Sequence, residues 1–466
     1  MGGPAAGIKH IRRARVYASR RALGWGEVLV LKPSTGYASL LSNRDFMLLT
    51  LGELVSNLGS KITYIALLTK VLELSGSPLK VGIVALLGTV PTVIFAPIAG
   101  VAADRLSRKT IVVASNLIRA GMSLGLIFAV HLPQIYGLTL ADAVIASFFA
   151  PARQALEPSL VRRDQLLQMN SFNQVLKNFV QVGGPMAAGL TVAALGYSGA
   201  FVFNSLTFLV AATTAALIRT RQQSETAASA TPTRSMAEPA HSPDGVDSRM
   251  RPPVSTTGVA GARTWREFLA GWQYARENSV LMYVFTLQLF ITLAISMQGT
   301  LLFLYADRYL QSPGHVAQRA GFLYSMVGVG GLLGGIILNF LLRWIKRIPL
   351  LLAVLTLDGV AVLGFALNTN FYVAMLICAL FGMMGVALSS TANTILQEET
   401  PEILRGRVFA LFGSAMGPAS LLSIGMGAGL ASLFGPRLVF LGAGFAELTF
   451  SAVSTAVPTY SKVKSR

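Results

Sequence analysis

The sequence predicts an all-α membrane protein whose twelve transmembrane helices form two pseudo-symmetric six-helix bundles. Three observations carry this. Of 466 residues, 53% are hydrophobic and only 12% charged, with a mean hydropathy of +0.60, against about 25% charged in a soluble domain. Twelve apolar stretches approach the roughly 20 residues that a helix needs to cross a bilayer without leaving backbone polar groups unpaired in hydrocarbon. Finally, marks recur at near-constant offset. Gly100, Asp104 and Arg108 each lie 235 positions before Gly335, Asn339 and Arg343, and Gly184-Pro185 lies 233 before Gly417-Pro418, which argues for a duplicated six-helix unit. This composition excludes an ordinary soluble enzyme, a disordered regulator and a disulfide scaffold. The single cysteine, Cys378, sits in an apolar run and supports neither a disulfide framework nor a Cys-rich metal site.

In chain order the spans run near 46–69, 80–102, 110–131, 134–155, 168–194 and 198–218, then 280–305, 319–341, 349–368, 371–396, 406–432 and 437–458. The stretch 371–388 is apolar all round, as a lipid-embedded helix is and an amphipathic soluble one is not. Cations gather after even-numbered spans: Arg105, Arg108 and Lys109; Arg153, Arg162 and Arg163; Arg219 and Arg221; Arg343, Lys346 and Arg347; Arg405 and Arg407; Lys462, Lys464 and Arg466. Odd-numbered connections are poorer, with Lys70, Lys80, Arg308 and Arg319 as exceptions. The positive-inside rule then places both termini in the cytoplasm. The formal charge of +18 reads mainly as a topology signal, with no nucleic-acid partner implied.

The expected organisation is a basic cytoplasmic tail over 1–44, a first bundle over 45–218, a cytoplasmic linker over 219–279, a second bundle over 280–458 and a short tail over 459–466. The N-terminal tail holds eight cations and one acid, Glu27. It reads as a cytoplasmic tail or over-extended start, with an organellar transit peptide as the competing reading. Residues 222–263 are rich in Ala, Ser, Thr and Pro without apolar periodicity, as a disordered linker is. Beyond them Trp265, Phe268, Leu269 and Trp272 fall at helical spacing, which suits a helix at headgroup level or the capped entry to the seventh span.

The loop after the second span, Gly100-Val-Ala-Ala-Asp104-Arg105-Leu-Ser-Arg108-Lys109, resembles motif A of the major facilitator superfamily. Leu74–Pro78, Pro151–Val161, Gly183–Gly189 and Gln397–Val408 look like the enterobactin-exporter-like and macrolide-efflux-like branch. The resemblance spans Arg44 to Tyr460 and implies two bundles around a cavity that opens alternately to each side, secondary transport and, within this branch, export. It also implies that Asp104 caps the eleventh helix near Gly406, where the helix dipole is positive, with Arg153 completing the charge network. Gly184, Pro185 and Gly189 resemble part of the antiporter motif C, and as small residues they equally suit plain close packing. Two positions depart from the pattern. Asn339-Phe340 stands where an Asp-Arg pair would complete a second motif A, and Lys61 stands where such exporters often carry an acid.

Charges within spans default to function because each is costly in lipid. Glu53 lies roughly 10 Å into its span, Arg119 roughly 14 Å and Asp142 roughly 12 Å, depths at which the three can meet as proton-coupling or substrate residues, or as a structural ion pair. Asp358 and Glu447 rank below them because no cation lies at comparable depth. In the fifth span Asn170, Asn173, Gln174, Lys177, Asn178 and Gln181 fall mostly on one stripe, fit for a water-lined wall. Gln288 and Gln298, with Phe285, Phe290 and Tyr305, are the candidate opposing wall, which suits amphiphilic cargo. No Walker-type sequence, metal cluster or cofactor motif is present. The reading is therefore a monomeric, non-enzymatic, multi-pass plasma-membrane transporter exporting a small amphiphilic compound, such as a drug, siderophore or metabolite, with protons as coupling ion. The alternatives are an uptake carrier or facilitator of the same fold, or a non-transporting membrane sensor or scaffold.

Overall fold

A computed structural model describes residues 37–219, 272–310, 316–342 and 344–456. The basic tail before residue 37, the linker over 220–271 with Trp265, Phe268 and Leu269, Arg343 and the last ten residues lie outside it. The helices are α1 (Arg44–Ser75), α2 (Pro78–Arg105), α3 (Arg108–Phe128), α4 (Leu132–Leu156), α5 (166–195), α6 (197–216), α7 (Ser279–Arg308), α8 (Val316–Leu341), α9 (Arg347–Leu367), α10 (Phe371–Glu399), α11 (Glu402–Phe434) and α12 (Pro436–Ala456). Asparagine and serine side chains set several starts: Asn43 accepts from Phe46 N at 3.1 Å, Ser107 from Thr110 N at 3.4 Å and Asn370 from Tyr372 N at 2.9 Å. Each satisfies an otherwise orphaned first-turn N–H. Before α7, residues 272–277 are helical and Asn278 caps the span through Val280 N at 2.9 Å. α5 and α6 separate at Gly196, whose φ of +68° with ψ of 177° is open only to glycine.

Ten helical runs of the described residues, the joined α5–α6 run counted as one, are long and apolar enough to cross a membrane. Among these twelve helices only α1 falls short of that hydropathy, because it carries Asp45, Glu53, Lys61, Lys70 and Glu73. Packing explains its place. Gly52 and Gly59 bring α1 against Thr214 and Thr207 of α6 with no room for a Cβ.

Packing repeats when helix numbers advance by six. α1 packs on the α5–α6 run, α2 on α4 and α3 on α6; α7 packs on α11, α8 on α10 and α9 on α12. The halves meet chiefly through two pairs related the same way, α5 with α8 and α2 with α11. Two six-helix units thus face each other about a pseudo-two-fold axis.

The buried apolar residues show how far apart the halves stand. At the end bearing the α1–α2 and α7–α8 turns, one continuous cluster joins them, with Leu68, Ile135 and Phe201 from the first half and Phe303, Tyr305, Phe365 and Phe440 from the second. At the opposite end, where residues 37 and 456 lie, the core is divided. Leu49, Val112 and Leu156 cluster within the first half, and Leu281, Leu352 and Phe412 within the second. The molecule is sealed at the distal end and parted at the terminal end.

Candidate functional site

A cavity of about 640 Å³ occupies the space between the halves. Gln174, Asn178 and Gln181 of α5 form one wall; Gln288, Thr292 and Ser296 of α7, Gly328 and Gly331 of α8, and Phe381 and Ser389 of α10 form the other. Gln174 donates to Asn178 at 3.1 Å. The Gln288 side-chain oxygen is buried without a hydrogen-bond partner among the described residues. Amides set in an apolar wall give orientation-specific contacts to a largely apolar guest.

The aromatic wall expected from the sequence is not there. Phe285 stands edge-on to Phe412 at 4.9 Å, Phe290 stacks on Phe450 at 3.9 Å, and the buried Tyr305 donates to the carbonyls of Ala366 at 2.9 Å and Asn368 at 2.8 Å. These rings bind helices together and leave Phe381 as the ring in the cavity wall. Gln298 also turns away from the cavity, donating to Glu447 Oε1 at 2.8 Å.

The three first-half charges do not form one cluster. Arg119 and Asp142 meet as a two-pronged pair, Nε to Oδ1 at 2.9 Å and Nη2 to Oδ2 at 3.2 Å, with the guanidinium 4.3 Å from the centre of the Phe208 ring. They line a separate pocket of about 220 Å³ inside the first bundle. Glu53 instead takes Arg153, whose Nη2 also donates to Glu157 at 3.1 Å, while Asn57 donates to Glu53 and Asn173 to Glu157. Arg153 is 7% exposed and Glu157 5%, so α1, α4 and α5 are tied by a buried carboxylate–guanidinium–carboxylate chain.

Arg153 therefore does not join Asp104. Asp104 and Arg105 are exposed, and among the described residues Asp104 has no ion pair. Asp104 stands at the terminal end, where the buried clusters of the two halves are separate. Gly100 faces open space. Arg108 and Lys109 donate to the carbonyls of Ala155 at 3.0 Å and Ile218 at 2.8 Å, closing the C-terminal ends of α4 and α6, where unpaired carbonyls and the helix dipole favour cations.

Two of the four cations that broke the topology pattern act likewise at the distal end, while Lys80 and Arg308 are exposed. Lys70, 4% exposed, donates to Leu126 O at 2.7 Å, and Arg319 donates to Leu310 O at 2.6 Å. Both are tied to carbonyls at the ends of α3 and α7 instead of standing free in a loop.

Gly184 makes room for the aliphatic stem of Lys61, and a Cβ there would lie 3.0 Å from Lys61 Cγ. Gly189 faces the other half, where a Cβ would fall 2.7 Å from the Ala317 carbonyl; Gly321 of α8 lies against the Pro185 carbonyl. Gly189 and the Pro185 backbone thus sit in the seam between the halves, while Gly184 packs on α1 of its own half.

Two pseudo-symmetric six-helix bundles around a central cavity define a multi-pass membrane transporter. The family model described as "Major Facilitator Superfamily" matches residues 49–424, and the chain belongs to that family; it is not an enzyme. It is 25% identical over 397 residues to macrolide efflux protein A of Streptococcus pyogenes, covering 83% of this chain and 88% of that one. It is 26% identical over 427 residues to the multidrug efflux pump Tap of Mycolicibacterium fortuitum, covering 88% and 95%. Its fold is similar to that of a bacterial homologue of the iron transporter ferroportin, solved in an inward-facing state, with a TM-score of 0.64 at 17% identity over 89% of this chain and 99% of that one.

Proposed function

We propose that this chain exports a small amphiphilic compound from the cytoplasm by alternating access, in exchange for protons, working as a monomer in the plasma membrane. The observation that carries the reading is the amide-lined cavity between halves that are sealed at one end and parted at the other. If the termini are cytoplasmic, as the cation distribution argues, the parted end opens to the cytoplasm and cargo loads there. Relatives named for macrolide and multidrug efflux support export of a bulky, partly apolar guest. In this reading 45–218 and 280–458 rock as two bodies, and the seam of Pro185 and Gly189 against α8 stays packed at the distal end as the pivot. Asp104 becomes a latch only when the terminal end closes and brings it to the α11 N-terminus, which its unpaired state here leaves it ready to do.

The test is flux in reconstituted vesicles. With an acidic lumen and a neutral exterior, external erythromycin or ethidium should accumulate as protons leave, and collapse of the gradient should abolish accumulation. Movement of both probes indifferent to the gradient removes antiport; movement of neither removes this cargo class.

A further inference from the structure

The acids best placed to carry a proton are in the second bundle. Asp358 of α9, 3% exposed, and Glu447 of α12, 0% exposed, sit mid-helix on neighbouring helices that pack closely there, a Cβ at Gly359 falling 3.2 Å from Glu447 Cβ. Glu447 Oε1 accepts from Gln298 of α7, and its Oε2 is buried without a hydrogen-bond partner among the described residues. Asp358 and Gln298 line a pocket of about 110 Å³. Ile295, Val327 and Phe381 line both that pocket and the central cavity, so one layer of side chains separates Asp358 from the cargo space.

The facing groups offer no counter-charge. α7 contributes the neutral Gln298 amide, α8 the hydroxyl of Tyr324, which donates to Gly299 O at 2.6 Å, and α10 the buried thiol of Cys378. The cations of these helices are Arg308, Arg319, Arg347 and Arg437, all at or near helix ends. In the first bundle the acids Glu53, Glu157 and Asp142 are each paired with an arginine. Two carboxylates buried side by side, with one amide donor that reaches only Glu447, cannot both stay ionised at tolerable cost.

We propose that Asp358 and Glu447, bridged to α7 by Gln298, form the proton-binding site of the transport cycle. One carboxylate takes a proton from water when the site is reached from the proton-rich side. It releases that proton to water on the other side after the halves rock, and α7 relays its state to the cavity wall at Ile295. This rests on the antiport reading above.

Three measurements test it. Wild-type vesicles must first accumulate ethidium under the imposed gradient and exchange it without one; exchange without accumulation defeats the antiport reading and this inference with it. Where wild type accumulates, Asp358→Asn and Glu447→Gln should each lose gradient-driven accumulation and keep exchange, while Glu73→Gln, an exposed carboxylate on α1, keeps both. Accumulation retained by both amide variants overturns the inference and leaves antiport standing. Should either variant fail to fold, pH-difference infrared spectra of the wild type decide. A protonated-carboxyl C=O stretch that titrates, and that vanishes in the surviving variant, is expected. Its absence from the wild type, or its persistence in that variant, overturns the proposal.

Discussion

Removing Arg153 is the sharpest probe of the first bundle. Its guanidinium holds Glu53 and Glu157, whose side chains are only 15% and 7% exposed. Arg153→Ala leaves two carboxylates facing one another with only Asn57 and Asn173 as donors. Breaking a buried pair from one side costs about 3–5 kcal/mol. At about 1.4 kcal/mol per factor of ten, that raises the equilibrium population of opened molecules by about two to three and a half orders of magnitude. The protein carries its own reporter, since its single cysteine, Cys378, is buried. A thiol-reactive fluorophore reaches it only through opening, so labelling rate at fixed temperature tracks that population while reclosing stays fast. Glu53→Gln leaves the Arg153–Glu157 pair intact and should cost less, about 1.5–3 kcal/mol. Arg153→Ala combined with Glu157→Gln should recover part of the loss by removing like-charge repulsion. A labelling rate unchanged in Arg153→Ala, or a larger effect from Glu53→Gln, would refute the buried-chain account.

Asp104→Asn should leave Cys378 labelling unchanged, since exposed substitutions fall within about ±0.5 kcal/mol, yet slow ethidium exchange; loss of stability with exchange intact would refute a latch. Gly189→Val places side-chain atoms where only the Ala317 carbonyl fits; overpacking of about 1–3 kcal/mol should appear as faster labelling and reduced exchange, whereas wild-type behaviour would show that the seam yields freely. A double-mutant cycle of Arg119→Met and Asp142→Asn, followed by the same labelling, should return a coupling of about 0.5–3 kcal/mol, and additivity would mean that the pair contributes nothing beyond its separate members.

The spans were legible because apolar length is a local property, and even polar α1 was placed, its charges spaced widely enough to leave apolar runs between them. Arg119 and Asp142 were legible as neighbours from depth alone, since both lie near the middle of adjacent antiparallel helices. Glu53 was misdirected because its partner, Arg153, lies in the last turn of α4 and reaches it through a long side chain across an α1–α4 approach that no local pattern encodes. The aromatics of α7 failed as cavity markers because rotation of a helix about its axis decides which face meets the cavity, and an all-round apolar helix carries no periodic signal of that rotation. Asp358 and Glu447 rank low when depth is searched for cations. The usable sign was the reverse, two mid-span acids with no cation near either.

The duplication sharpens that sign. α3 and α9 are each 21 residues long, and numbered from their starts at Arg108 and Arg347, Arg119 and Asp358 are both the twelfth residue. Numbered from 197 and from Pro436, Phe208 of α6 and Glu447 of α12 are also both twelfth. The same pair of neighbouring positions therefore holds a cation over an aromatic face in the first half and two carboxylates in the second. In the first, the charge is matched by Asp142 and spread against a ring. In the second, two buried carboxylates lie on neighbouring helices with one amide donor, Gln298, and no ion pair among the described residues. A symmetric scaffold with this difference at one equivalent point has a half suited to staying fixed in charge and a half suited to changing it. That division is what coupling requires, because a proton shifts a two-state equilibrium only by as much as it binds the two states differently.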